Sequence, residues 1–346
     1  MRIPTVVKHV GLAVAAGAVL LTVSANLAPY PNYLLATVAA YVCATAGLTI
    51  LTGLNGQLSL GHGAFMAIGA YVVAFTQRWF RDHGGADGGT LAWALVLAVL
   101  LTTVAGLGIG LAAARLRGPY LAGVTLAVAI AVPAVTTAFA GVFNGEQGLD
   151  VYGTRRPRSL ALSSNEQWRA WVAVVAALIV LVLLANLVRG GFGRSMRAVR
   201  DDEVAAALAG IPIARTQVLT FMVSAAAAGL GGGVIAVATQ AATPGAYPLE
   251  LSLFLVVAIV VGGLGSLAGA VWGALVVVLL PEVTEALTDR FPLSAGLSER
   301  LHGNLPHAVL GLVLVVVMIA APGGLQHLFR RAFRWSRSRR PRSAPL

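Results

Sequence analysis

The chain has 346 residues, 58% of them apolar and only 11% charged, with a formal net charge of +11. A soluble domain is about 45–50% apolar and about 25% charged, so this composition excludes an ordinary soluble enzyme, a disordered chain and a disulfide scaffold. Mean hydropathy is +0.84, and roughly 200 apolar residues are enough for about ten spans of roughly 20 residues each. The expected fold class is therefore an all-α membrane protein with about ten transmembrane helices.

Residues 10–28 form a charge-free run after Arg2 and Lys8. A basic start and an apolar core fit a signal peptide, but this core exceeds the usual length of about 7–15 residues. We read it as a retained first helix. No Asp, Glu, Lys or Arg occurs from 33 to 77. That is too long for one span and suits two, with the break in Gly53-Leu54-Asn55-Gly56-Gln57-Leu58-Ser59-Leu60-Gly61-His62-Gly63. The run 251–281 is interrupted in the same way at Gly262-Gly263-Leu264-Gly265-Ser266. Ten helices follow: 10–28, 33–52, 63–80, 91–114, 119–140, 168–188, 216–239, 250–264, 268–287 and 305–321.

Alternating these spans from a cytoplasmic N-terminus puts 16 of the 24 basic residues inside with three acids, and eight basic with ten acidic residues outside. Such an excess is what the positive-inside rule demands, and it fixes both termini in the cytoplasm. The organisation is a transmembrane domain over 1–329 and a basic tail over 330–346. The seven arginines of the tail suit anionic lipid headgroups, and no nucleic-acid partner is expected.

The large charged inner loop is 189–215. Asp201, Asp202 and Glu203 precede an alanine-rich stretch, where acids favour the positive end of a helix. Gly210 and Pro212 stop it. The result is a helix of about two turns, too short to be stable alone in water. Arg197, Arg200, Asp201, Asp202, Glu203, Ala206, Gly210 and Pro212 are candidates for docking an ATP-driven partner; a solvated connector is the plain alternative. Asn55, Gln57, Ser59 and His62 lie in the first break. Irregular backbone at membrane depth survives only against protein or a water-filled cavity, so these four are candidates for a translocation path or gate. An ordinary tight turn is the competing reading, and His62 reads first as a structural hydrogen-bonding residue.

Gly265, Gly269 and Gly273 recur every four residues, as do Gly106/Gly110 and Gly229/Gly233. Small faces of this kind let helices approach closely in lipid. Gly263–Ala268 formally fits a dinucleotide fingerprint, but its flanks are apolar spans rather than a βαβ unit. Lys8 is the lone lysine and follows Thr5-Val6-Val7, so the chain carries no Walker loop of its own. One cysteine, Cys43, and six scattered histidines give no metal or cofactor site.

Five segments, in order, resemble the membrane permease subunit of bacterial branched-chain amino-acid ABC importers. They are Thr52-Gly53 with Gly56-Gln57-Leu58-Ser59-Leu60-Gly61-His62-Gly63-Ala64-Phe65; Arg115-Leu116-Arg117-Gly118 with Val124-Thr125-Leu126-Ala127; Gly193-Arg194 through Glu203 to Gly210; Gly262-Gly263-Leu264-Gly265-Ser266 with Gly269-Ala270; and Pro322-x-Gly324-Leu325. The resemblance implies that Glu203 to Gly210 is a coupling helix seated on a separate cytoplasmic ATPase subunit. It also implies a second permease subunit, a binding protein at the outer face and a bacterial inner-membrane location. Family members often carry a polar or acidic residue in helix 5, where Ala129–Val132 is wholly apolar here. The implied cargo is a branched-chain or other hydrophobic amino acid, with urea and short amides open.

Ten helices can divide as five plus five, which would invert the second half against the first. An ion-coupled secondary transporter is the alternative of a different class. It needs ionisable groups inside the spans, each costing about 2.5–3.5 kcal/mol to insert, and this chain has almost none there.

Overall fold

The computed structural model describes residues 5–85, 88–116, 118–156, 164–288 and, further on, 308–309, 311–317, 319 and 323–327. The helices are α1 (Thr5–Ala25), α2 (Pro29–Leu48), α3 (His62–His83), α4 (Gly88–Ala113), α5 (Pro119–Ala138), α6 (Ala140–Phe143), α7 (Asn165–Arg189), α8 (Gly191–Asp201), α9 (Glu203–Leu208), α10 (Ile213–Thr239), α11 (Leu249–Gly262) and α12 (Leu267–Thr288). A π-helical turn, Thr49–Leu54, extends α2. The only sheet among the described residues pairs β1 (Leu149–Asp150) antiparallel with β2 (Ala241–Ala242).

Eight helices of the described residues are long and apolar enough to cross a bilayer. α3 is not among them; it has 22 residues but ends in Arg78, Arg81, Asp82 and His83. Nine of the ten expected spans are therefore helices. The tenth, 305–321, is helical at 308–309 and 311–317 and otherwise lies largely outside the described residues, as does the tail 330–346.

α2 and α10 form the centre, and most residues of each are buried. They can sit there because their interfaces are small. Gly47 of α2 lies against Ser224 and Ala227 of α10, and Gly231 lies against Ala40 and Cys43, so the two run antiparallel. Gly69 of α3 meets the backbone of Gly229, and Gly106 and Gly110 of α4 meet Phe221, Met222 and Val218. A side chain at any of these positions would push the helices apart, and dispersion between close backbones is the main attraction available in lipid.

One end of the bundle gathers the basic groups. His9 of α1 is 2.7 Å from Asn186, near the end of α7, and α8 and α9 continue from there. Gly110, five residues before Arg115, packs on the first turns of α10. Lys8, Arg115 and the 189–215 loop thus share this end. The β1–β2 ladder lies at the other, where Arg81 sits 3.9 Å over the Tyr152 ring.

α3 and α11 begin partway along α10. His62 meets Ser224, the twelfth residue of α10, about 16 Å along a helix about 40 Å long. Gly63 N donates to Ser252 Oγ of α11 at 3.0 Å, so α11 begins at the same depth. α2 descends to Gly53 and the chain returns through 55–61 to start α3. α10 ascends to Thr239 and the chain returns through 240–248 to start α11.

Candidate functional site

The break after α2 begins with the π-helical turn, in which Asn55 N reaches Ile50 O and Gln57 N reaches Leu51 O, both at 3.1 Å. Widened turns of this kind recur at functional sites. Gly56 then takes φ +75, a conformation that costs a glycine little. Asn55 Nδ2 donates to Gln57 Oε1 at 2.9 Å and Thr52 Oγ1 donates to Gln57 O at 3.0 Å.

Of the four gate candidates, Ser59 and His62 meet each other: His62 Nδ1 is 3.3 Å from Ser59 Oγ and Nε2 is 2.7 Å from Ser224 Oγ. His62 is fully buried and edge-on to Phe65. Asn55 and Gln57 form a second pair nearer the loop end. The sequence reading placed all four at the inner face, as a gate or as an ordinary turn. Only the Asn55 end lies beside the 189–215 loop, because 55–61 leaves the helical path and runs on to Ser224. Asn55 Oδ1 and Thr49 Oγ1 are buried and accept or donate no hydrogen bond.

The loop 189–215 contains two helices rather than one. The missed one is α8, and its signal was readable: Phe192, Met196 and Val199 recur at helical spacing, with Met196 and Val199 buried. Its arginines are ties. Arg197 Nη2 donates to Val188 O at 2.7 Å, closing the end of α7. Arg200 Nη1 donates to Gly53 O at 2.8 Å, while Nε and Nη2 donate to Asp201 Oδ1 at 3.0 and 2.8 Å.

Asp201 ends α8, and Asp202 is the N-cap of α9, accepting from Val204 N and Ala205 N at 2.8 and 3.0 Å. Glu203 Oε1 accepts from Gln217 Nε2 of α10 at 3.0 Å. Ala206 is buried on α10's side, Gly210 ends the helix at φ +81, and Pro212 caps α10. Val204 and Leu208, one turn apart, are 70% and 86% exposed. Sequence reasoning named the helix and missed these two side chains, although i, i+4 spacing on so short a helix already puts them on one face.

The expected glycine face divides. Gly269 and Gly273 lie on α12 against Gly262 and Ala258 of α11. Gly265 lies before the helix, at φ +78, against Gly53. Gly263 in turn meets Gly324, and Leu60 N donates to Thr125 Oγ1 of α5 at 3.0 Å. Five segments far apart in sequence therefore meet around the break. A separate groove of about 810 Å³ between α4, α7 and α10 is lined by residues such as Val99, Val175, Ile179 and Leu230. Its lining has no charged or amide side chain but includes Trp168 and Trp171, whose indole nitrogens are buried without a partner.

A bundle of apolar spans, irregular backbone at membrane depth and a charged loop tied to that backbone defines a multi-pass membrane permease. Residues 30–321 match the family model for the permease component of the branched-chain amino acid transport system. The chain belongs to that family, whose members are permease subunits of ABC transporters and are not themselves catalytic. It is 27% identical to the high-affinity branched-chain amino acid transport system permease proteins LivM of Salmonella typhimurium and of Escherichia coli, over 84% of this chain and 68% of each relative. It is likewise 27% identical to LivH of Escherichia coli over 80% of this chain and 89% of that protein. No solved structure matches.

Proposed function

We propose that the chain is the membrane subunit of a bacterial inner-membrane ABC importer for branched-chain or other hydrophobic amino acids. A separate ATPase subunit hydrolyses ATP and seats α9. A second permease subunit completes the path, and a binding protein delivers cargo at the outer face. The observation that carries this reading is the pair Val204 and Leu208, exposed on a six-residue helix in the most basic loop. Apolar side chains facing water on a helix that cannot stand alone fit a docked partner.

The basic end is then the cytoplasmic end, with both termini there, α3 the third span and 305–321 the tenth. The returning paths through 55–61 and 240–248 support a five-plus-five division, with 55–61 as the inner gate and 240–248 as its outer counterpart. Close glycine contacts such as Gly69 of α3 against Gly229 of α10 hold the halves together. The basic tail rests on anionic lipid.

Reconstitution tests this reading. Proteoliposomes holding the permeases, the ATPase subunits and ATP accumulate labelled leucine, isoleucine or valine. Uptake driven by a proton or sodium gradient without ATP would overturn the importer assignment. ATP-driven uptake of urea in place of leucine would overturn only the cargo.

A further inference from the structure

A motor acting on α9 must move backbone inside the membrane, and the contact that transmits this motion needs to be both directional and stiff. Gly53 O lies at the end of the π-helical turn, where the last carbonyls have no donor within the helix. Arg200 supplies the donor at 2.8 Å, and a bond from a charged group is stronger than a neutral one. Its stem lies flat on Gly56: a Cβ there would be 2.9 Å from Arg200 Cγ. The same guanidinium holds Asp201, the residue before the α9 cap, through two further bonds. The planar fork thus faces both ways, to the α8–α9 corner and to the hinge of the break.

Gly265 also packs against Gly53, so the hinge contacts both Arg200 and the α11–α12 turn. Asn55 Oδ1 and Thr49 Oγ1, beside the hinge, are buried without partners. This packing leaves hydrogen-bonding capacity that a shifted hinge can use.

We propose that Arg200 is the positioning residue that couples α9 to the 53–57 hinge, so that displacement of the loop pulls or releases Gly53 and resets the inner gate. The inference rests on the importer reading and adds the residue that transmits the stroke.

The test uses the complete complex with its ATPase subunits in proteoliposomes. Cys43→Ala removes the lone buried cysteine, and Leu58→Cys places a reporter at an exposed position of the break. The rate of maleimide labelling is measured with and without a non-hydrolysable ATP analogue. With Arg200 present, nucleotide changes the rate about tenfold, within the range of about 5–150-fold that coupled sites display. Arg200→Met and Gly56→Ala, which displaces the stem, reduce the change to about twofold or less, and Arg200→Lys restores part of it through one retained donor. A full nucleotide response in Arg200→Met and Gly56→Ala overturns the inference and leaves the importer reading intact. An unresponsive reference complex overturns the importer reading and this inference with it. If the ATPase fails to co-purify with Arg200→Met, the Gly56→Ala complex, altered away from the α9 surface, decides alone.

Discussion

His62 Nε2 lies 2.7 Å from Ser224 Oγ, so the first residue of α3 is bonded to the twelfth residue of α10. The bond fixes the depth at which the irregular segment ends. In lipid, side-chain hydrogen bonds between helices average about 0.6 kcal/mol and reach about 1.7 kcal/mol. A double-mutant cycle with His62→Ala and Ser224→Ala should give a coupling energy in that range by thermal unfolding in detergent. Additive single effects would mean that the pair does not hold α3.

Close backbone contact makes a sharper contrast. Gly69→Ala puts a methyl group into the Gly229 backbone, whereas Gly108→Ala and Gly123→Ala meet nothing within 4 Å. Overpacking costs about 1–3 kcal/mol, while an alanine in open helix gains about 0.5–1 kcal/mol. Gly69→Ala should lower the melting temperature of the purified protein, and the other two should hold or raise it.

The cap of α9 can be tested without the partner. Asp202→Ala removes the acceptor of two backbone donors and should cost the helix about 1 kcal/mol, whereas Asp202→Asn keeps it. Amide exchange over 203–208 should quicken about fivefold in the alanine variant and stay near the parent rate in the asparagine variant.

Docking follows from exposure. Val204→Ser and Leu208→Ser change mostly exposed side chains and should change stability by less than about 0.5 kcal/mol. Burying either side chain against an ATPase is worth about 1.5–3 kcal/mol. Each change should therefore weaken ATPase binding about tenfold or more, read as a dissociation constant in detergent. Unchanged affinity would remove α9 from the interface.

Asn55 and Gln57 bond to each other at the lowest point of the break. Asn55→Ala or Gln57→Ala, with normal expression, should reduce ATP-driven uptake about tenfold, because the hinge loses the side-chain bond that shapes it. Unchanged uptake would reduce the segment to an ordinary turn.

Much of this was legible in the chain. Runs without charge gave nine of the helices to within a few residues, since a bilayer punishes every ionised group the same way wherever it occurs. The acidic start and glycine stop of α9 were local signals and were read. Other features depended on distant partners. Gly265 matches the spacing of Gly269 and Gly273, yet its contact is Gly53, and no periodicity encodes that. Arg200 was legible as a docking candidate, but its bond to Gly53 was not, because a carbonyl 147 residues away in sequence has no side chain to announce it. The course of 55–61 was hidden for the same reason: Ser224, Thr125 and Ser252 set it.

By itself, the sequence determined that this protein lives in a membrane and which stretches form its long apolar helices. Those properties follow from the transfer of single residues between water and lipid, a sum that needs no partner. Only the tertiary structure decided that α3 and α11 begin partway along α10, that Gly63 meets Ser252 and that Arg200 of the loop binds the Gly53 carbonyl. Those properties are distances between groups remote in the chain, and a backbone carbonyl acquires a role only when folding brings a donor to it.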